Sequence, residues 1–259
     1  MKRVISRSLR YNWDSHCSTP ANLWAATLGM VFNNVFFIFG AWMMLFAGKD
    51  QNSALLPYFL ALNGIVAAAW GAVCFFAGGL RSLGELVDEG QLEPMLATPR
   101  DPLFLAALSR SHPSGLGDMI QGFGNFILLA AMGHGAIALR CLPATLISMV
   151  GFASVFTLAG AISFYVQRGA NAGGLLIEST VSLSSYPTGK LFPGPGRFLL
   201  YLTPAAATGI LPGDAAESGT PQAFALALLA VGLLAALSGW MFKRGLRRYR
   251  SLSLVGARE

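Results

Sequence analysis

Apolar residues gather in six long runs along this chain, and most of the charges and prolines fall in the stretches between them. The runs cover residues 23–47, 54–80, 116–139, 143–166, 170–188 and 221–242. About 20 apolar residues in a helix cross the hydrocarbon of a bilayer, and a helix satisfies its own backbone polar groups there. Each run therefore predicts a membrane-spanning helix. Gly48-Lys49-Asp50 stops the first, Arg81 ends the second, and Arg140 ends the third. Pro143 opens the fourth, which finishes before Gln167-Arg168. The fifth is shorter and rich in hydroxyls, and Lys243-Arg244 halts the last ahead of a basic tail. The predicted fold class is an all-α membrane protein, with one six-helix domain over residues 23–259 preceded by a separate segment, 1–22.

Three stretches outside the runs carry patterns of their own. In residues 1–13, Arg3, Arg7 and Arg10 recur at helical spacing with Ile5, Leu9 and Trp13 opposite them. This predicts an amphipathic helix on a membrane surface, its basic side toward anionic headgroups; the plainer reading is a topology anchor. In residues 81–110, Leu83, Leu86, Val87 and Leu92 form one side of a short helix, with Glu85, Asp88 and Glu89 on the others, a break at Gly90 and a stop at Pro94. Anionic headgroups repel such an acidic segment, so it suits a basic protein partner or else is a solvated connector. In residues 186–221, Pro187, Pro193, Pro195, Pro204, Pro212 and Pro221 leave one apolar piece, 197–211. It is too short to cross and predicts a re-entrant or interfacial pair of short helices broken at Pro204.

The chain has 259 residues, 54% of them hydrophobic and 12% charged, where soluble domains carry about 25% charged residues. That is too little charge to cover a water-facing surface. The net charge of +6 does not mark a nucleic-acid binder, because the basic residues flank the apolar runs in clusters. With the N-terminus placed inside, fourteen Lys and Arg fall inside and four (Lys49, Arg140, Lys190 and Arg197) outside. Basic residues stay on the cytoplasmic side, so both termini are expected there. Cys17, Cys74 and Cys141 have no C-x-x-C spacing and predict neither a disulfide framework nor a metal site. The first run is too long, and too far from Lys2 and Arg3, for a signal peptide.

No nucleotide site is legible. Gly48-Lys49 and Gly189-Lys190 are followed by Asp50 and Leu191 where a Walker A motif has Ser or Thr, and both lack its upstream Gly. The chain is therefore read as no enzyme and as holding no cofactor of its own. Glu178 lies inside the fifth run beside Ser179 and Ser182, and an ionisable group at that depth faces a cavity or the bundle interior. Its candidate roles are a transport pathway or a subunit interface, against a plain hydrogen bond to a neighbouring helix. Asn33 and Asn34 in the first run, with Asn63 in the second, belong to the same polar set. His134 stands alone and reads as a packing residue; His16 and His112 fall in loops. The small residues at Gly29 and from Gly115 to Gly124 suit helix packing. A secondary active transporter of a small solute is the alternative class. It calls for internal repeats and paired charges within spans, and neither a repeat nor a buried basic partner for Glu178 is visible.

The run Gly84-Glu85-Leu86-Val87-Asp88-Glu89-Gly90-Gln91-Leu92-Glu93-Pro94-Met95-Leu96, followed by Thr98-Pro99 and Asp101-Pro102-Leu103, resembles the cytoplasmic loop of ABC-2 type permeases. It is most similar to the branch of six-span ABC-2 family transporter proteins. Ser185-Tyr186-Pro187, Phe192-Pro193-Gly194, Leu200-Tyr201-Leu202-Thr203-Pro204 and Leu211-Pro212 resemble the outer stretch before that branch's last span. Where the family loop has one Asp, this chain has Asp88-Glu89. The resemblance implies the membrane subunit of an ATP-driven exporter in a bacterial cytoplasmic (inner) membrane. Two permease subunits, a homodimer or a paralogous pair, would surround a path, with ATP and Mg held by separate cytoplasmic ATPase subunits. It further implies that Glu85, Leu86, Asp88, Glu89, Gly90 and Leu92 form a coupling helix against the ATPase. The helix with Arg3, Arg7, Arg10 and Trp13 would lie beside it on membrane lipid, and residues 197–211 would be the re-entrant pair.

Overall fold

The computed structural model describes residues 2–46, 52–191 and 195–256, and within them the chain is helical with no strand. The Gly48-Lys49-Asp50 stop and the Phe192-Pro193-Gly194 motif lie outside the described residues. Helix α1 (Lys2–Cys17) precedes α2 (Pro20–Phe46) and α3 (Asn52–Phe76). A 3-10 turn (Gly78–Leu80) then leads into three short helices, α4 (Leu83–Asp88), α5 (Glu93–Leu96) and α6 (Pro102–Ser109). The bundle resumes with α7 (Ser114–Ala131), α8 (Gly135–Ile162) and α9 (Gly169–Ser185). Helices α10 (Thr188–Leu191) and α11 (Pro195–Tyr201), a π turn (Ala206–Ile210) and α12 (Leu211–Ser218) precede the last helix, α13 (Pro221–Gly256).

Among the described residues, four helices are long and apolar enough to cross a membrane: Pro20–Gly40 in α2, Leu55–Phe76 in α3, Gly135–Ile162 in α8 and Pro221–Tyr249 in α13. Helices α7 and α9 have 18 and 17 residues, about 27 and 25 Å at 1.5 Å per residue. They belong to the same bundle, but Asp118, Gln121, Asn125 and Glu178 dilute their apolar character.

Helix boundaries depart from the sequence expectation at two places where charge was taken as a stop, Arg140 and Lys243-Arg244. The break after α7 falls at Met132-Gly133-His134, with Gly133 at φ +87°, while Arg140 and Pro143 lie inside α8. A left-handed residue ends a helix and glycine adopts that conformation freely, whereas Arg is a good helix former. For the same reason α13 continues through Lys243-Arg244 to Gly256. Basic residues mark where water begins, not where the helix ends. In the acidic loop the chain turns at Gly90 (φ +71°), and Pro94 opens α5 instead of stopping α4, because the first turn of a helix does not use its N–H.

Lipid is as apolar as leucine, so close packing and not hydrophobic expulsion holds such helices together. Helix α3 is central: Tyr58, Leu62, Val66 and Val73 pack with Phe152, Val155 and Phe156 of α8 and Ile177 of α9. Helix α7 wedges between α2 and α3 on glycines. Gly71 and Gly115 meet backbone to backbone, Gly122 lies against Ala68, and Gly117 against the Thr27 carbonyl. Gly29 and Gly124, read from the sequence as part of the same packing pattern, face open space. At the end where α3 leaves the bundle, Leu83, Leu86, Val87 and Leu92 pack on Phe164 and Phe242. At the opposite end α12 lies over the start of α3. There the Tyr58 and Tyr201 hydroxyls donate to the two oxygens of Asp214 at 2.8 and 3.0 Å, and Lys190 pairs with Glu217.

Candidate functional site

Polar side chains in a membrane helix turn away from lipid toward one another. Asp118, Gln121 and Asn125 stand at i, i+3 and i+7 on α7, one stripe of that helix, and all three are buried. The Asn34 amide of α2 donates to Asp118 Oδ1 at 2.6 Å. Gln121 and Asn125 donate to Asn63 Oδ1 of α3 at 3.0 and 3.3 Å. Two further acceptors, Asp118 Oδ2 and Gln121 Oε1, are buried with no hydrogen-bond partner among the described residues. Both residues line a cavity of about 410 Å³ bounded by α2, α3, α7 and α9.

Arg81 enters this cleft from the α4 end. Its guanidinium lies 5.1 Å over the Trp70 ring and 3.8 Å from the Glu178 carboxylate. Arg81 and Glu178 line both this cavity and a second one of about 340 Å³ that runs toward Glu85 and His112. The ion pair therefore sits at the junction of the two. Arg81 is a partly exposed partner for Glu178, not a buried one; the pairing joins α9 to the far end of α3, and no local spacing records it.

Of the residues singled out in sequence, Asn33, Asn34, Glu178 and Ser182 come together in the cleft. Ser179 does not: it is exposed, and its hydroxyl donates to the Leu176 carbonyl at 3.0 Å. Sequence reasoning missed Asp118, Gln121, Arg81 and Trp70. The polar stripe on α7 was legible as polar residues at helical spacing inside an apolar run.

The acidic loop is divided differently from the expectation. Leu86 and Leu92, 2% and 0% exposed, lie beneath the loop and are not presented to a partner. Glu85 pairs with Arg110 at 2.8 Å, and Arg110 also donates to Gln91 Oε1 at 2.9 Å. Asp88 Oδ2 accepts the Ala170 N–H at 3.0 Å; a carboxylate at the start of α9 meets free N–H groups and the positive end of the helix dipole. Glu89, beside the Gly90 turn, faces out and accepts the Gln91 amide at 2.7 Å. Beside the loop, Asn12 of α1 donates to the Leu108 carbonyl at 3.4 Å and Trp13 meets Phe75 edge-on. Arg7 and Arg10 are exposed, and the Arg3 side chain lies outside the described residues.

No curated protein and no solved structure matches the chain. The family model described as ABC-2 family transporter protein matches residues 29–253, which takes in the whole cleft and the acidic loop. The chain therefore belongs to the ABC-2 family of transporter proteins, as a multi-pass membrane permease of an ABC transporter.

Proposed function

We propose that this chain is one of two permease subunits of an exporter, and that the cleft between α2, α3, α7 and α9 is its share of the path. Glu178 carries that reading. Its side chain is 66% exposed midway along α9, and a carboxylate is not left facing lipid. That face therefore meets water or a second subunit. On this reading six helices span the membrane, including α7 and α9, and both termini are cytoplasmic. Helix α1 turns Arg7 and Arg10 to the inner headgroups, and residues 197–211, from α11 through the π turn, form the outer re-entrant pair. Short outer segments favour export.

ATP and Mg belong to a separate ATPase subunit that docks on the α4–α5 loop. Glu89 and Glu93 give that loop an acidic outer face, and the leucines beneath it join it to α8 and α13. The test is co-purification of the tagged chain with an ABC ATPase. Glu89→Arg combined with Glu93→Arg, which spares the Asp88 contact to α9, is expected to lose the ATPase at unchanged membrane levels. Full retention by the double variant would refute docking at this loop. Capture of an ATPase by the wild type would also decide against a secondary active transporter, which needs none.

A further inference from the structure

Two buried acceptors in the cleft lack a donor. Asp118, 5% exposed, and Gln121, 6% exposed, each keep one oxygen buried without a hydrogen-bond partner among the described residues, and both line the same cavity. A buried acceptor without a donor is costly, and a buried carboxylate without a counter-charge more so. Two carboxylates, Asp118 and Glu178, line the cavity against one guanidinium, Arg81, which lies nearest Glu178. The walls also carry the rings of Phe37, Trp70 and Tyr186.

We propose that the cleft binds the ammonium group of an organic amine, its nitrogen toward Asp118 and Gln121 and its apolar body against the aromatic walls; this rests on the cleft being the transport path. Arg81 is a tethered example of the same recognition, since its cation sits between the Trp70 face and a carboxylate. An ammonium carries three donors and no acceptor, which matches the two buried acceptors, Asp118 Oδ2 and Gln121 Oε1. A neutral hydroxyl can donate to these oxygens but brings no positive charge to the Asp118 carboxylate. A hard metal cation takes about six to eight oxygen ligands, far more than the two unpaired oxygens here.

The test is equilibrium binding of radiolabelled 2-phenylethylamine to the full chain in lipid nanodiscs, with empty nanodiscs subtracted. The competitors are 2-phenylethanol and phenylacetate, which share the ring and chain length. Saturable binding is expected, with the unlabelled amine competing about tenfold or more better than the alcohol, and phenylacetate without effect. Asp118→Asn, nearly isosteric, is expected to weaken amine binding about tenfold or more. Absence of saturable amine binding, equal competition by the alcohol, or wild-type affinity in Asp118→Asn would each overturn the proposal. The competitor comparison uses wild-type protein, so it stands even if Asp118→Asn fails to fold. No ATPase is present in this assay. Failed amine binding therefore leaves the docking result intact, and failed docking leaves amine binding intact.

Discussion

His112 shows how one side chain reports on the joint between α3, α6 and α7. The backbone N–H of His112 donates to the Cys74 carbonyl at 3.0 Å, and its imidazole Nε2 is buried with no hydrogen-bond partner among the described residues. Burial holds its imidazole below the ordinary value of 6.5; Arg81 and Arg110 add to this, while the Gly78 carbonyl and Glu85 oppose it. The unfolded chain therefore takes up a proton at 6.5 and the folded one only at lower pH. Stability rises with pH across that interval and is lost as pH falls through it. Thermal unfolding of the purified chain should begin earlier at about pH 5.5 than at about pH 7.5, with a smaller difference in His112→Gln. Equal differences in the two proteins would assign the effect to other groups. At this scale much of the site was legible: Asn33, Asn34, Glu178 and Ser182 stood out as polar residues in apolar runs. Leu86 and Leu92 were misread, because an amphipathic pattern shows that a helix has two faces but not which one the rest of the molecule covers.

At the scale of elements, α7 explains why four helices and not six stand out by apolar length. It must carry Asp118, Gln121 and Asn125 on one stripe and glycines on others, so its average character is diluted. The glycines are not interchangeable. A methyl group on Gly115 would lie 2.5 Å from the Gly71 carbonyl oxygen, whereas one on Gly124 would meet nothing within 4 Å. Gly115→Ala is expected to cost about 1–3 kcal/mol through overpacking. Gly124→Ala should raise stability by about 0.5–1 kcal/mol, the ordinary gain of Ala over Gly in a helix. Unfolding temperatures of the two variants in one detergent compare them directly, and equal shifts would contradict the backbone contact between α3 and α7. The sequence spacing treated all these glycines alike, since the direction in which each one points depends on where the neighbouring helices stand.

For the molecule as a whole, the cleft has an accessible polar wall, and the outer sides of α2 and α13 are apolar. Phe32, Phe36 and Phe39 on α2 and Leu229, Leu233 and Trp240 on α13 are exposed, as suits lipid or a second subunit. In a variant whose Cys17, Cys74 and Cys141 are replaced by Ala, Glu178→Cys should react with a membrane-impermeant maleimide, while Phe36→Cys should not. An unreactive cysteine at 178 would remove the aqueous path from the proposal and leave only a dry subunit contact there.

The sequence by itself determined the membrane solvent, the helical class and the basic clusters that bias orientation. These depend on run length and charge, which are properties of neighbours along the chain. Only the tertiary structure decided that Arg81 meets Glu178, that Asn34 and Asp118 share a hydrogen bond, and that two acceptors are left without donors in one cavity. Helices far apart in sequence meet there because glycines in α3 and α7 let their backbones touch, and periodicity within a single helix does not encode the identity of its neighbour.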